Sequence, residues 1–345
     1  MITLEPGVLR GSYPPLITPF ARGAVDYETY ARLVEFQLAE GSHGILVNGT
    51  TGEPSTLTAD ERARLVKVAV ETVRGRVPVV AATGSQSHAE TVWLTEQAEA
   101  AGASAVLVVT PYYLRPPQRG LVEYFVDVGR RTRLPLLLYH IPGRAAVALE
   151  AETIGRIASR LPTLVGIKQA VNDLGFVSEL LDRFGPEFRV FVGLEELSFP
   201  MLAVGAAGLM NAVGNVAPRN VARLYEAVAA GSLADGRALH AALFEVNRAV
   251  FWDTNPIRIK YMMKRLGLIP DNEHRLPMVP ADERLAARLD ALLERADLGT
   301  PAGGPASDGA GGASWARAAG PAAAGGPASD GAPAGAARPR RRTTA

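Results

Sequence analysis

The sequence predicts a closed TIM (β/α)8 barrel with additional C-terminal helices, and three observations support this fold class. Eight short apolar runs alternate with stretches of helical period within residues 1–230. The runs are apolar on both faces, which is typical of parallel strands covered by helices on every side. No G-x-G-x-x-G sequence follows the first run, and this disfavours the alternative of an open doubly wound sheet.

The eight predicted strands follow one another along the chain. They are PPLIT (14–18), GILVNG (44–49), VPVVAAT (77–83), SAVLVVT (104–110), LPLLLYH (134–140), TLVGIKQ (163–169), FRVFVG (188–193) and AGLMNAV (207–213). The helices between them carry recognisable end signals. Asp26 and Thr58 suit the N-caps of the first two helices, and Gly41 and Gly75 suit their C-terminal ends. Gly102 ends the third helix in the same way.

Three parts of the chain differ in composition and pattern. Residues 1–230 form the predicted barrel, and residues 231–298 form a helical extension that packs on its outside. Residues 299–345 consist almost entirely of Ala, Gly, Pro and Ser, and the sequence GGPASDGA occurs in them twice. Such a composition buries too little apolar surface to offset the entropy of ordering, so we expect a disordered tail.

The composition excludes several classes of function. The formal net charge of +1 provides no strong field for nucleic acid or acidic membranes. Cysteine is absent, which excludes disulfides, thiolate metal sites and a cysteine nucleophile. No secretory signal is visible, so we expect a cytoplasmic protein. Residues 197–218 carry no charge, but interrupting prolines and glycines indicate a helix followed by a buried strand, not a membrane span.

Lys168 is the first candidate for chemistry. It is one of only four lysines, and it ends an apolar predicted strand. Reactive residues of such barrels lie at the C-terminal ends of the strands. Burial there disfavours the ammonium form, which would leave an amine able to condense with a ketone. The alternatives are a lysine that extends to solvent or one that pairs with a carboxylate such as Glu195, and the residues alone leave these open.

Two further segments lie at the same predicted rim. Tyr139 ends the strand before Lys168, and its phenol could transfer the protons that Schiff-base chemistry requires; the alternative is a packing aromatic. The sequence GTTGE (49–53) offers glycines and hydroxyls suited to a carboxylate, although an ordinary glycine turn has the same composition. The five histidines show no ligand spacing, so we expect no metal site.

Five segments together resemble one protein family. GTTGEPSTL (49–57), TPYYLRPP (110–117), YHIPGR (139–144), GIKQ (166–169) and DTNPIRIKYMMKRLGL (253–268), the last followed by RLPMVP (275–280), occur in the order found there. The chain resembles the pyruvate-dependent class I aldolases, the family that includes dihydrodipicolinate synthase and N-acetylneuraminate lyase, over about residues 10–280. The resemblance implies a barrel fold and Schiff-base chemistry.

The same resemblance implies roles for individual residues. The catalytic set would be Lys168, Tyr139, Thr50 and Tyr113: Lys168 condenses with pyruvate, Tyr139 is the general acid/base, and Thr50 and Tyr113 complete a proton relay. Tyr113 would reach across a subunit interface, which implies a homotetramer built as a dimer of dimers.

Substrate-binding residues follow from the resemblance as well. Thr51, Gly193 and the backbone around Met210 would hold pyruvate, and Arg144 would bind the carboxylate of L-aspartate-4-semialdehyde. No cofactor is implied beyond the covalent Schiff base on Lys168.

Some positions depart from the synthase pattern. His140 stands where the synthases have asparagine, and VGLEEL, which includes Glu195, replaces an SGDD-like turn. These departures favour an alternative, an aldolase or hydratase acting on a 4-hydroxy-2-oxo acid, whereas Arg144 favours the synthase. A third reading is a ligand-binding barrel without catalysis. In the pocket that gates lysine feedback in the synthases, Pro54, Ala59 and Arg62 replace polar or histidine residues and Gln86 replaces an asparagine, so we expect weak inhibition by lysine at most.

Overall fold

Eight parallel strands form one sheet that closes on itself. The computed structural model describes residues 2–5, 7–296 and 298; the predicted tail, 299–345, lies outside the described residues. The barrel strands are β1 (Gly11–Ser12), β4 (Ile45–Val47), β5 (Val79–Ala82), β6 (Ala105–Val109), β7 (Leu136–His140), β8 (Leu164–Gln169), β9 (Arg189–Val192) and β10 (Gly208–Leu209). Their order around the sheet is β1-β10-β9-β8-β7-β6-β5-β4. A separate hairpin consists of β2 (Phe20–Ala21) and β3 (Ala24–Val25).

The first strand differs from the prediction. PPLIT (14–18) was expected to form it, but β1 precedes this run, and only Pro15 forms a bridge, with Leu46 of β4. The reason is that prolines have no N–H to donate to a ladder. The carbonyl of Pro14 accepts from Leu46 N, and Leu16 N donates to Leu46 O. These two bonds join the first and last members of the sheet and close the barrel.

Eight helices cover the outside of the barrel. They are α1 (Tyr27–Ala39), α2 (Ala59–Val73), α3 (His88–Ala100), α4 (Gln118–Arg130), α6 (Ala151–Ala158), α7 (Leu174–Phe184), α8 (Ser198–Ala203) and α9 (Pro218–Ala229). A short helix, α5 (Pro142–Ala145), lies between β7 and α6. The alternation of strand and helix confirms the predicted (β/α)8 fold class.

The predicted helix ends are confirmed. The Asp26 carboxylate accepts from Thr29 N at 2.9 Å, and Thr58 forms a capping box with Glu61. The glycines Gly41, Gly75 and Gly102 have φ values of 84°, 73° and 86°, the left-handed conformation that ends helices. These ends depend on neighbouring residues only, which is why the sequence locates them.

The described residues beyond the barrel form four further helices. They are α10 (Leu233–Ala242), α11 (Phe244–Ala249), α12 (Ile257–Arg265) and α13 (Glu283–Leu293). Helix α10 packs against α8 and α9, and α12 contacts the turn Ala212–Asn215 that follows β10. Residues of this extension therefore reach the C-terminal rim of the barrel as well as its outer surface.

The uncharged stretch 197–218 forms α8 and then β10, as the interrupting prolines and glycines indicated. Across the described residues, every helix is too short or too polar to cross a bilayer.

Apolar side chains fill the barrel interior and leave its C-terminal rim for polar groups. The interior cluster contains Tyr13, Leu107, Leu137, Phe191 and Met210 among others, all buried. Tyr139 belongs to this cluster and lies opposite Lys168, near the C-terminal end of β7. The rim thus has a closed apolar floor.

Candidate active site

Lys168 lies on β8 directly opposite Tyr139 of β7 in the parallel register. Its side chain is only 3% exposed, so it does not extend to solvent. Among the residues that the structure describes, Nζ forms no ion pair with a carboxylate, Glu195 included. Nζ lies 4.5 Å from the centroid of the Tyr139 ring. Neither structural alternative raised by the sequence, a solvated lysine or a paired one, describes this residue.

The hydroxyl of Tyr139 connects the strand to the GTTGE segment. It lies 3.1 Å from Thr50 Oγ1, and Thr50 begins a 3-10 turn, Thr50–Gly52, that follows β4. Amine, phenol and hydroxyl are therefore neighbours at one rim. Tyr139 lies between Thr50 and Lys168, so its phenol could transfer protons from the threonine hydroxyl to the amine.

Tyr113 is placed apart from these three residues. It lies in the loop after β6, its side chain is 85% exposed, and its φ of 73° is a left-handed conformation that bulky residues seldom adopt. A single chain thus leaves the fourth member of the predicted relay facing outward.

Gly193 follows β9 and makes room for the lysine. A Cβ at this position would lie 2.9 Å from Lys168 Cε and 3.0 Å from Ala170 Cβ. The first distance is shorter than Cβ contacts in proteins and the second is tight, so a larger residue would require the end of the Lys168 side chain to move. The absence of a side chain at Gly193, which was predicted to bind substrate, therefore leaves room for the Lys168 side chain.

A cavity of about 90 Å³ surrounds the amine. Seven of the eight predicted site residues line it, namely Thr50, Thr51, Tyr139, Arg144, Lys168, Gly193 and Met210. The amide of Met210 already donates to Val192 O at 2.8 Å, so it is not free to bind a carboxylate. The volume suits a small acid better than a sugar or a nucleotide.

Three lining residues come from the C-terminal extension and were not predicted as site residues. Val250 and Phe251 contribute apolar wall. Asn255 Nδ2 donates to Thr51 Oγ1 at 2.9 Å and so fixes the orientation of that hydroxyl. The only signal in the sequence was the TNPI segment within the family motif, since nothing in the pattern of residues 250–255 places them at the barrel mouth.

A second cavity of about 300 Å³ adjoins the first. The two share Thr50, Tyr139, Ile141, Arg144 and Asn255. Arg144, on α5, is exposed and forms no ion pair with another described residue. A free guanidinium thus stands where the small cavity opens into the large one, a position that suits the carboxylate of a second substrate.

Arg62 lies in the wall of the larger cavity and is buried. Its Nη2 donates to the carbonyls of Ala82 and Gly84, and its Nη1 lies 3.7 Å from Glu90 Oε1. Burial lowers the pKa of this guanidinium, although Glu90 opposes the effect.

The two departures from the synthase pattern lie in different places. Glu195 lines the small cavity; its Oε1 accepts from Ala212 N at 2.7 Å, and complete burial raises its pKa. His140 points away from both cavities, with Nδ1 2.7 Å from Gln169 Oε1 and its ring against Phe176. Burial lowers the pKa of His140. Of Glu195 and His140, only Glu195 therefore lines a cavity.

Comparison with known proteins decides the family. Residues 8–296 match the Dihydrodipicolinate synthetase family. The chain belongs to this family. A 4-hydroxy-tetrahydrodipicolinate synthase of Thermus thermophilus is 45% identical over 292 residues, which cover 84% of this chain and 97% of that protein. The resemblance drawn from the five motifs is confirmed.

Solved structures agree with the fold. The dihydrodipicolinate synthase of Aquifex aeolicus is 37% identical and superimposes with a TM-score of 0.82, covering 85% of this chain and 99% of that one. A dihydrodipicolinate synthase variant described as the first monomeric one is 38% identical, with a TM-score of 0.81 and coverages of 84% and 97%.

We expect Tyr139→Phe to lower kcat by about 100- to 10,000-fold, because it removes the hydroxyl beside Thr50 while the ring beneath the lysine remains. Steady-state kinetics with the synthase substrates would measure this. Tyr124→Phe is the matched control, since its hydroxyl bonds to Thr91 Oγ1 on the outer helices. Equal activities of the two variants would contradict a proton-transfer role for Tyr139.

Proposed function

We propose that the chain condenses pyruvate with L-aspartate-4-semialdehyde to give 4-hydroxy-tetrahydrodipicolinate, as an enzyme of cytoplasmic lysine biosynthesis. The relative from Thermus thermophilus is named as such a synthase. The observation that carries the proposal is the buried Lys168 without an ion pair among the described residues, beside the Tyr139–Thr50 contact, in a cavity that opens at Arg144.

The chemistry follows from the groups present. The Lys168 amine adds to the ketone carbon of pyruvate, and loss of water gives an imine. Tyr139 donates and accepts the protons of these steps and exchanges them with Thr50, 3.1 Å away. Loss of a proton from the pyruvate methyl group gives an enamine, whose carbon attacks the aldehyde. The amino group of the semialdehyde then adds to the imine carbon and displaces the Lys168 amine, which closes the ring and frees the enzyme. The lysine supplies the covalent chemistry, so no cofactor takes part.

Thr51 and Arg144 would bind the two carboxylates. Thr51 presents a hydroxyl that Asn255 orients, and it lines only the smaller of the two cavities. Arg144 lines both cavities, so the semialdehyde carboxylate can bind there while its aldehyde faces the pyruvate carbon. Each substrate would then occupy one of the two cavities.

One observation favours a second function. Glu195 brings a carboxyl group to the wall beside Lys168, where it could hydrogen-bond a hydroxyl of a 4-hydroxy-2-oxo acid. An aldolase or hydratase of such an acid would use the same lysine and tyrosine. A panel of aldehydes with pyruvate distinguishes the two functions: the synthase reading requires a preference for the semialdehyde. A non-catalytic barrel would have no use for the cluster of Lys168, Tyr139 and Thr50.

We expect pyruvate and borohydride to add one reduced adduct per chain, because the buried Lys168 amine forms an imine with pyruvate that borohydride reduces. Mass spectrometry measures the adduct. Lys168→Ala should abolish it, whereas Lys264→Ala, which removes a half-exposed lysine paired with Asp271, should retain it. Undiminished labelling of Lys168→Ala would refute the assignment.

Arg144→Ala should lower kcat/KM for the semialdehyde by about 100-fold or more. Loss of a charge-assisted hydrogen bond of about 1.5–3 kcal/mol accounts for most of this, and misplacement of the aldehyde adds to it. Trapping with pyruvate alone should persist. Arg156→Ala, an exposed arginine on α6, is the control. An unchanged condensation rate in Arg144→Ala would remove the main argument for the synthase over the alternative aldolase.

We also propose that the protein is a homotetramer, a dimer of dimers. Tyr113 and Leu114 are 85% and 64% exposed, an apolar pair that a subunit interface would bury and that could bring Tyr113 to a neighbouring site. A relative described as the first monomeric variant supports an oligomer as the usual state.

Sedimentation velocity should show an oligomer. Because each site would combine its own Lys168 with a neighbour's Tyr113, mixing inactive Tyr113→Phe with inactive Lys168→Ala should restore part of the activity after subunit exchange. A fully active monomer would contradict this arrangement.

A further inference from the structure

Three buried ionisable side chains meet beneath the turn that carries Thr50 and Thr51. Lys260 Nζ donates to Glu53 Oε1 at 2.8 Å, and His274 Nδ1 lies 3.0 Å from Glu53 Oε2. The side chains of Lys260 and His274 are 0% exposed and that of Glu53 is 1% exposed. Lys260 Nζ also lies 4.3 Å from the centroid of the Phe20 ring. The proposed reaction assigns no role to these residues.

Glu53 is the residue that ends this turn. Its amide donates to Thr50 O at 3.1 Å, and its φ of 55° is left-handed. A non-glycine residue keeps that conformation only where its surroundings hold it. Here Lys260 holds the Glu53 carboxylate. Lys260 lies in the first turn of α12, and Asn255 lies just before that helix. The extension therefore fixes the turn at Glu53 and at Thr51.

His274 connects the same carboxylate to the wall of the larger cavity. The neighbouring Arg275 pairs with Glu61 at 2.7 Å and donates to Thr56 O at 3.2 Å. Pro277 and Met278, three and four residues beyond His274, line the larger cavity. One carboxylate thus joins the turn that carries Thr50 and Thr51 to the wall where a second substrate would lie.

We propose that Glu53, Lys260 and His274 are positioning residues that hold the Thr50–Thr51 turn and the wall at Pro277–Met278 in the geometry required for the condensation. The inference rests on the proposed function. A buried ion pair contributes little net stability compared with apolar residues of the same volume, because desolvation offsets the attraction. Its directional bonds, in contrast, fix the groups they join, and an error of about 1 Å at a reacting group costs about 100-fold in rate.

The experiment compares two lysines on one helix. Lys260→Met removes the buried partner of Glu53, and Lys264→Met removes a half-exposed lysine that pairs with Asp271 at 2.9 Å. We expect Lys260→Met to raise the KM for pyruvate by about 10- to 100-fold, with adduct formation on Lys168 still complete at saturating pyruvate. Lys264→Met should match the wild type. His274→Gln should instead raise the KM for the aldehyde, by about tenfold.

The double variant Glu53→Gln/Lys260→Met separates positioning from folding. It removes both charges of the Lys260–Glu53 pair, so its unfolding temperature should exceed that of Lys260→Met, while its KM for pyruvate should remain raised. A folded Lys260→Met or double variant with the wild-type KM for pyruvate would overturn the inference. Should Lys260→Met fail to fold, the double variant alone decides. A wild-type protein that pyruvate and borohydride do not label would instead refute the proposed function.

Discussion

The parallel pairing of β7 with β8 places Tyr139 opposite Lys168, and the candidate site depends on that register. Leu136 pairs with Leu164 but Leu137 with Gly166, so Val165 is an extra residue in β8. On the other side of β8, Gly166 permits the close approach of β9, since a Cβ there would overlap the Arg189 carbonyl oxygen. Side chains alternate along a strand, and a slip of one residue would turn His140 and Gln169 into the barrel instead.

Whether the Lys168 amine has a charged partner depends on the hydrogen bonds that neighbouring polar side chains form. Glu195 is the acid that could neutralise Lys168, but its carboxylate accepts from the Ala212 amide, and burial favours its protonated form. Gly193 offers no side chain at all. The Lys168 amine therefore lies against the Tyr139 ring, above the apolar interior of the barrel, and faces the small cavity.

The C-terminal extension is part of this site. Its helices pack outside the barrel, yet the segment before α12 supplies Phe251 and Asn255 to the small cavity, and α12 supplies Lys260 to Glu53. Within the barrel, Thr18 Oγ1 donates to Gly52 O at 2.7 Å and Tyr139 contacts Thr50, and the extension adds bonds at Thr51 and Glu53. The extension therefore connects catalysis to residues that the barrel pattern does not include.

The sequence by itself determined the (β/α)8 class, the helix ends at Asp26 and Thr58, and the strand-end position of Lys168, because periodicity and capping are local properties. The family motifs added the other candidate residues. Only the tertiary structure decided that Pro15 closes the barrel by a single bridge, that His140 faces outward, and that Asn255 orients Thr51. Such contacts join residues as many as 204 positions apart, and local pattern carries no information about which distant groups the closed barrel brings within hydrogen-bonding distance.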